Sequence, residues 1–380
     1  MENKGMGIYV HVPFCRAKCF YCGFYSVAAP GWKADYVEAV TREIAMRGDY
    51  LPTRESGTLY LGGGTPSCLE RKELERIVEA LERHYTFAAD AERTIEANPE
   101  DLTGERPRWF RELGFNRLSV GVQSFSDERL RQINRRHTGR QAMEGIRRAA
   151  EAGFDNIGMD LIIGLPGQTE GEVMADLETV AALPVTHLSV YMLSVDPGTV
   201  FEKRVERGEF RPEDEEVTAE RYREVCRRAR EMGFEHYEIS NFARDGRYSR
   251  HNTGYWQQRP YVGFGPSAHS YDGQSRQWNT ANVRRYVEAL GRGELPFERE
   301  VLTPVDMYNE FVMTGLRTRW GIDPGEAERR FGACWRQAAP RVASYLASGD
   351  LELVSGRLRL TEAGCLVSDM VMSDLFAAGE

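Results

Sequence analysis

The chain has 380 residues, room for two or three domains at roughly 150 residues each, and its 41% apolar and 28% charged residues are an ordinary globular mixture that needs no disulfide staples. With 49 basic against 58 acidic residues the net charge is −9, which argues against a general nucleic-acid or anionic-membrane binder while leaving open a local basic patch. No apolar run approaches the roughly 20 residues of a membrane span, and residues 1–7 are too few and too polar for a signal peptide, so a cytoplasmic protein is expected.

Strand-like runs lie at 8–12, 58–61, 93–97, 117–122, 156–163 and 187–193, with a weaker one at 236–239. Helical patterns at 34–47, 69–85, 140–152, 170–182 and 215–232 alternate with them. The pattern over 69–85 is the clearest, because Leu74, Ile77, Val78 and Leu81 fall on one face. Gly114, Gly153 and Gly233 each stand between a helical pattern and a Phe that opens the next strand, where glycine suits a left-handed cap. Six or seven strand–helix units with right-handed crossovers build a parallel sheet covered by helices. A full eightfold barrel takes about 250 residues, and the alternation here fades near residue 240. The expected fold class is therefore α/β: an open, partial (β/α)6-type barrel over residues 1–240, with a doubly wound sheet as the alternative.

Residues 241–300 have another character. Eight aromatic residues fall between 241 and 282, Gly and Pro are frequent, and no helical periodicity shows. Such aromatic content argues against disorder and for a functional segment, expected to close the barrel mouth and connect onward. Residues 301–380 read as helices at 305–319 and 324–348, then two short strands, 351–354 and 357–360, around Ser355-Gly356. A hairpin after helices suggests a winged-helix-like α+β domain. Its 8 basic against 11 acidic residues oppose a DNA-reading role.

Of seven cysteines, Cys15, Cys19 and Cys22 sit within eight residues directly after the first strand. In a reducing compartment a tight cluster reads as metal ligation, whereas Cys68, Cys226, Cys334 and Cys365 are scattered and read as small core residues. Three thiolates on one loop can hold three irons of a [4Fe–4S] cluster and leave the fourth open to a small molecule. Zinc would want a fourth protein ligand, for which His11 is the only near candidate. Further motifs end the later strands, where barrel sites lie. Gly62-Gly63-Gly64-Thr65-Pro66 lets backbone approach a ligand. Glu96 can accept from a ribose or an ammonium, and the Gln123 amide can read a polar edge. Asp160 is a carboxylate in an apolar strand, costly unless paired or ligated. Arg135 can bind a carboxylate with two hydrogen bonds, and Tyr9 can pack beside the cysteine loop.

The segment GIYVHVPFCRAKCFYCGF carries C-x3-C-x2-C after the first strand and resembles the radical S-adenosylmethionine (SAM) superfamily, within it the oxygen-independent coproporphyrinogen III oxidase-like (HemN-like) family. The resemblance runs over nearly the whole chain. It implies a [4Fe–4S] cluster on Cys15, Cys19 and Cys22, SAM bound at the open iron, an electron donor, and SAM contacts from Tyr9, Tyr21, Gly63, Gly64, Thr65, Glu96, Gln123, Arg135 and Asp160. Two departures separate the chain from the oxidase pattern C-x3-C-x2-C-x-C: Phe24 stands at the fourth cysteine, and only residues 1–7 precede the first strand. Both departures, together with His251-Asn252-Thr253-Gly254-Tyr255-Trp256 (HNxxYW), resemble the HemW-type haem chaperone branch. That branch implies haem as cargo and a haem acceptor protein still to be identified. His251 offers an axial imidazole, Tyr255 and Trp256 a cover for a flat macrocycle, and His269 is a second histidine candidate. The alternatives are a true coproporphyrinogen III oxidase or another radical SAM reaction on a tetrapyrrole.

Overall fold

The computed structural model describes residues 5–378; residues 1–4, part of the polar start read above, and residues 379–380 lie outside the described residues. The chain opens with β1 (Met6–Val12), a long loop, α1 (Lys33–Met46), β2 (Glu55–Gly63), α2 (Arg71–His84), β3 (Thr86–Ala97), α3 (Arg106–Glu112) and β4 (Arg117–Gln123). It continues through α4 (Asp127–Gln132), α5 (Gly139–Glu151), β5 (Ile157–Ile163), α6 (Glu170–Ala181), β6 (His187–Met192), α7 (Val200–Glu206) and α8 (Glu215–Glu231). β1 to β6 pair side by side in sequence order, each parallel to the next. This is the α/β architecture expected for the first part of the chain. The reason is legible in α2: Leu74, Ile77, Val78 and Leu81 are buried on one face, and a capping box from Glu70 and Glu73 starts the helix. Gly114, Gly153 and Gly233 all have positive φ after their helices, as their positions predict.

The parallel series stops at β6. The weak strand expected at 236–239 is β7 (Glu235–Glu238), but it pairs antiparallel with β8 (Asn241–Ala243), which is antiparallel to β6. The aromatic segment is more regular than its composition suggested. It forms α9 (Arg250–Trp256), β9 (Tyr261–Phe264), β10 (His269–Tyr271), β11 (Ser275–Asn279), α10 (Val283–Gly291) and β12 (Phe297–Val301). β9 lies parallel to β1 on its free edge, and β10 to β12 continue from it antiparallel. Strands of three to five residues with Gly between them are too short for a visible period of two. Arg47, buried at the end of α1, locks this extension in place by donating to Gly263 O at 2.8 Å, Ser270 Oγ at 3.0 Å and Gln277 Oε1 at 2.7 Å.

A separate apolar cluster holds the C-terminal part. α11 (Pro304–Leu316) and α12 (Pro324–Ser348), the latter broken at Phe331, precede β13 (Leu351–Val354), β14 (Arg357–Leu360), α13 (Glu362–Leu366) and α14 (Ser368–Asp374). β13 and β14 form the expected hairpin, and Ser355 and Gly356 both carry positive φ, as a two-residue type I′ turn requires. Among the described residues, no helix is long and apolar enough to cross a membrane.

Candidate functional site

The parallel strands curl around one cavity of ≈ 590 Å³. At the C-terminal ends of the strands its wall is the loop after β1. That loop is folded back on itself: Val27 N–H donates to Pro13 O at 2.7 Å and Cys15 N–H to Val27 O at 3.1 Å. Cys15, Cys19 and Cys22 are free, half-buried and all line the cavity. Thr65 Oγ1 lies 3.4 Å from Cys15 Sγ, and Arg135 Nη1 3.5 Å from Cys19 Sγ. Burial pushes the thiols of Cys15 and Cys22 up. They stay protonated until a metal displaces the proton. No three His, Cys, Asp or Glu side chains among the described residues surround a point for a single metal ion. Of the other cysteines, Cys68 and Cys226 are buried as expected, while Cys334 and Cys365 are half-buried against the C-terminal cluster.

The glycine run after β2 brings bare backbone to the same cavity. Gly63 has φ +101°, and a Cβ there would sit 2.4 Å from His11 Nδ1; at Gly64 it would sit 2.7 Å from Val12 O. No side chain fits at either position. Gly63 N–H donates to Glu96 Oε2 at 3.1 Å, and Tyr60 Oη donates to Glu96 Oε1 at 2.7 Å. Burial raises the Glu96 carboxyl to about 7, against these two hydrogen bonds. Burial also raises Asp160, to about 6, with the Ser189 hydroxyl opposing. Gln123, at the end of β4, is a non-glycine residue at φ +72°. Such strain persists only where the surroundings enforce it, and it turns this side chain toward the cavity lining. Arg135 donates to Asn98 Oδ1 at 2.8 Å and to Gly121 O. Tyr9, Tyr21 and Thr65 complete this part of the lining.

Several lining residues escaped the sequence reading: Tyr60, Asn98, Arg117, Ser119, His187 and Ser189. The signal was there as alternation. Arg117, Ser119 and Gly121 on β4, Asp160 and Ile162 on β5, and His187, Ser189 and Tyr191 on β6 recur every second residue, on one face of their strands. Register then lays them in rows: Gly121 beside Asp160, and Asp160 beside Ser189. Arg117 is 1% exposed, with Nε and Nη1 unpartnered.

The HNxxYW motif lies at the other end of the barrel. Thr58 of β2 and Glu92 of β3, which pair with each other, anchor it. Glu92 accepts the backbone N–H of Arg250 at 3.1 Å and of His251 at 3.0 Å. A carboxylate at a helix start is favourable. Both ring nitrogens of His251 are engaged, Nδ1 with Thr58 Oγ1 at 2.8 Å and Nε2 with Tyr255 Oη at 2.7 Å. Burial lowers its pKa to about 3, so the ring is neutral. His251 and Tyr255 still line the cavity. Trp256 and His269 do not. Trp256 lies under the Arg317 guanidinium, 4.8 Å away, and His269 is exposed on β10, its ring stacked on Trp278. The segment expected to close the barrel mouth thus sends α9 to the end away from the cysteines. The reason is topological: β9 runs parallel to β1, so the helix that precedes it must lie where β1 begins.

The geometry of a partial parallel barrel with three thiols on its first loop matches a known class. The Radical SAM superfamily model covers residues 9–180, and the HemN C-terminal domain model covers residues 302–367. Coproporphyrinogen III oxidase (HemN) from Escherichia coli has the same fold, with a TM-score of 0.84 over 98% of this chain and 90% of that one at 25% identity. Proteins named Heme chaperone HemW are similar from end to end. The one from Mycobacterium tuberculosis is 35% identical over 99% of this chain and 96% of its own length, and the one from Bacillus subtilis 34% identical over 96% and 97%. The chain belongs to the radical SAM superfamily, in the HemW branch of its HemN-like family, and this membership implies a [4Fe–4S] cluster and SAM.

Proposed function

We propose that this chain is a cytoplasmic haem chaperone that takes up haem as cargo and delivers it to an acceptor protein. The observation that carries this reading is the end-to-end similarity to relatives named Heme chaperone HemW. Phe24 supports it: the side chain at the oxidase pattern's fourth cysteine is a phenyl, 70% exposed on the cavity rim, with no atom to ligate iron. The three parts proposed are the barrel over 1–240, the aromatic segment over 241–300 and the C-terminal domain over 301–380.

Cys15, Cys19 and Cys22 would hold the cluster. Three free thiols on one wall of the cavity match a four-iron cluster with one iron left without a protein ligand. With one iron free of protein ligands, such a cluster supplies SAM with a coordination site and, once reduced by an electron donor, one electron. The chain's own residues would do the rest. Bare backbone at Gly63 and Gly64, with Thr65, receives the amino-acid end of SAM. Glu96 and Gln123 accept and donate to its polar edges. Arg135 fixes the Cys19 thiolate and offers charge to a carboxylate. Asp160 closes the polar row, while Tyr9 and Tyr21 exclude water.

For haem, the four candidates differ. His251 ligates iron only after Nε2 leaves Tyr255, whereas the exposed His269 ring needs no such release. Tyr255 and Trp256 belong to the α9 end with His251. The decisive experiment reconstitutes the cluster anaerobically, titrates haem, and follows transfer to an apo-haem protein. In parallel, coproporphyrinogen III, SAM and reductant are incubated with the protein and with an authentic oxidase. The expected result is a haem complex that transfers its cargo, with no decarboxylated product above the Cys19→Ala background. Product formation would establish the oxidase reading that the HemN fold likeness keeps as second. Single His251→Ala and His269→Ala variants assign the ligand by loss of the haem spectrum.

A further inference from the structure

We infer that the floor of the barrel cavity is a carboxylate site, in which Arg117 and His187 hold the acid group of an organic ligand seated in the cavity. Arg117 opens β4, Gly158 stands second in β5 and His187 opens β6, so all three belong to the strand starts, opposite the thiols. Register aligns Gly158 with Ser119 on one side and with His187 on the other. A Cβ at Gly158 would sit 3.0 Å from Arg117 Nη2 and 3.4 Å from His187 Nδ1. The two nitrogens therefore converge on one point, and the glycine keeps that point clear of side chain. Both Arg117 and His187 line the cavity.

Arg117 is 1% exposed and His187 2%. The guanidinium Nε and Nη1 are buried without a hydrogen-bond partner. Among the described residues no carboxylate pairs with it: Glu96 is engaged by Gly63 N–H and Tyr60 Oη, and Asp160 by the Ser189 hydroxyl, so both act on Arg117 only through space. A permanent cation in so buried a place is costly without an anion beside it. His187 supplies the second donor. Tyr237 Oη accepts the backbone N–H of Ser249 at 3.3 Å, and its own proton goes to His187 Nε2 at 2.7 Å. Burial holds the imidazole well below its usual pKa, so the ring is neutral and its single proton sits on Nδ1. That Nδ1 is also buried without a partner. One charged and one neutral donor suit a monoanion, and the carboxyls of Glu96 and Asp160 oppose the second charge of a phosphate. The rings of Tyr60 and His251, stacked at 5.2 Å, with Tyr9 beside them, give the body of the ligand aromatic walls. A carboxylic acid carried on an organic body fits this chemistry. Where haem is the cargo that acid is a propionate, and this part of the inference rests on the chaperone reading; a free carboxylic acid is the other source.

The test uses the full chain, with and without the reconstituted cluster. Haem and its dimethyl ester, in which both propionates are masked, are titrated optically into wild type, Arg117→Met and Gly158→Ala. Sodium propionate is the second probe, read as a shift of the thermal midpoint against sodium chloride at equal ionic strength. The expected result is wild-type affinity for haem on the order of tenfold above that for the ester, with the preference lost in both variants. Arg117→Met should fold at least as stably as wild type, since it removes an unpaired buried charge, and Arg117→Lys should restore part of the preference. Gly158→Ala keeps the guanidinium and covers it, so it tests the site even if Arg117→Met fails to fold. Stabilisation by propionate in wild type but not in the variants, without an ester effect, would put a free acid on the floor and keep the site. A wild-type preference that persists in both variants overturns the proposal, and so do equal affinities for haem and ester with no propionate effect. A wild type that binds no haem overturns the chaperone reading alone, and the propionate arm then decides the floor.

Discussion

The two ends of the barrel present different chemistry to the cavity between them. At the cysteine end stand half-buried free thiols, glycines that bring backbone to the cavity, a strained glutamine and carboxyls whose pKa burial raises. At the α9 end the helix start and the histidine of the motif are spent internally, while Thr253 Oγ1 and Trp256 Nε1 have no hydrogen-bond partner among the described residues. Glu92 takes two backbone N–H groups, and both His251 nitrogens are bonded. The difference separates thiols and glycines that can meet a ligand as they stand from a histidine that meets one only if a hydrogen bond is released. Arg117 lies in the lining shared by both, a buried guanidinium with two unpartnered nitrogens.

Four changes would break or sharpen this contrast. The largest effect is expected from Cys19→Ala, which should abolish the iron–sulfur absorbance and paramagnetic signal while leaving the helix content intact. A retained cluster would remove Cys19 from the ligand set. Next is Gly64→Val. Its Cβ would lie 2.7 Å from Val12 O and 2.8 Å from Phe14 O, backbone atoms that cannot swing away. A stability loss of about 1–3 kcal/mol and loss of SAM binding should appear together in denaturation and titration. Wild-type affinity in this variant would show that the glycine run is only a turn.

A smaller effect follows from the two raised carboxyls. Glu96 goes from 4.5 to about 7 and Asp160 from 3.8 to about 6, both by burial. Between those limits the folded state binds more protons than the unfolded one. Their contribution to stability is therefore full below about 4 and is lost as pH rises toward 7. Denaturant midpoints across that window should fall with pH, and less steeply in Glu96→Gln; an unchanged slope would mean the carboxyl ionises normally. The smallest effect is expected from Tyr255→Phe, which removes one hydrogen bond to His251 at a cost of about 0.5–1.5 kcal/mol. If His251 ligates haem, freeing Nε2 should strengthen haem binding, read by optical titration. Weaker binding would instead make the tyrosine hydroxyl a direct contact.

Much of the cysteine end was legible because its chemistry is local. Cys15, Cys19 and Cys22 share one loop, Gly63 to Thr65 share another, and Glu96, Gln123 and Asp160 each end or interrupt an apolar strand. All of them reach the same cavity. Arg117, His187 and Ser189 were not legible, because a polar residue in a strand announces neither face nor register until its neighbours are paired. Trp256 and His269 looked like companions of His251 through nearness in sequence, yet neither reaches the cavity lining.

The amino-acid order by itself determined what depends on short spacing: the thiol cluster, the glycine cradle, the run of parallel strand–helix units and the tight hairpin turn at Ser355-Gly356. Only the tertiary structure decided which end of the barrel each motif serves. Strand direction and pairing are long-range properties, and it is the parallel union of β9 with β1, residues more than 250 apart in number, that carries α9 to the far end.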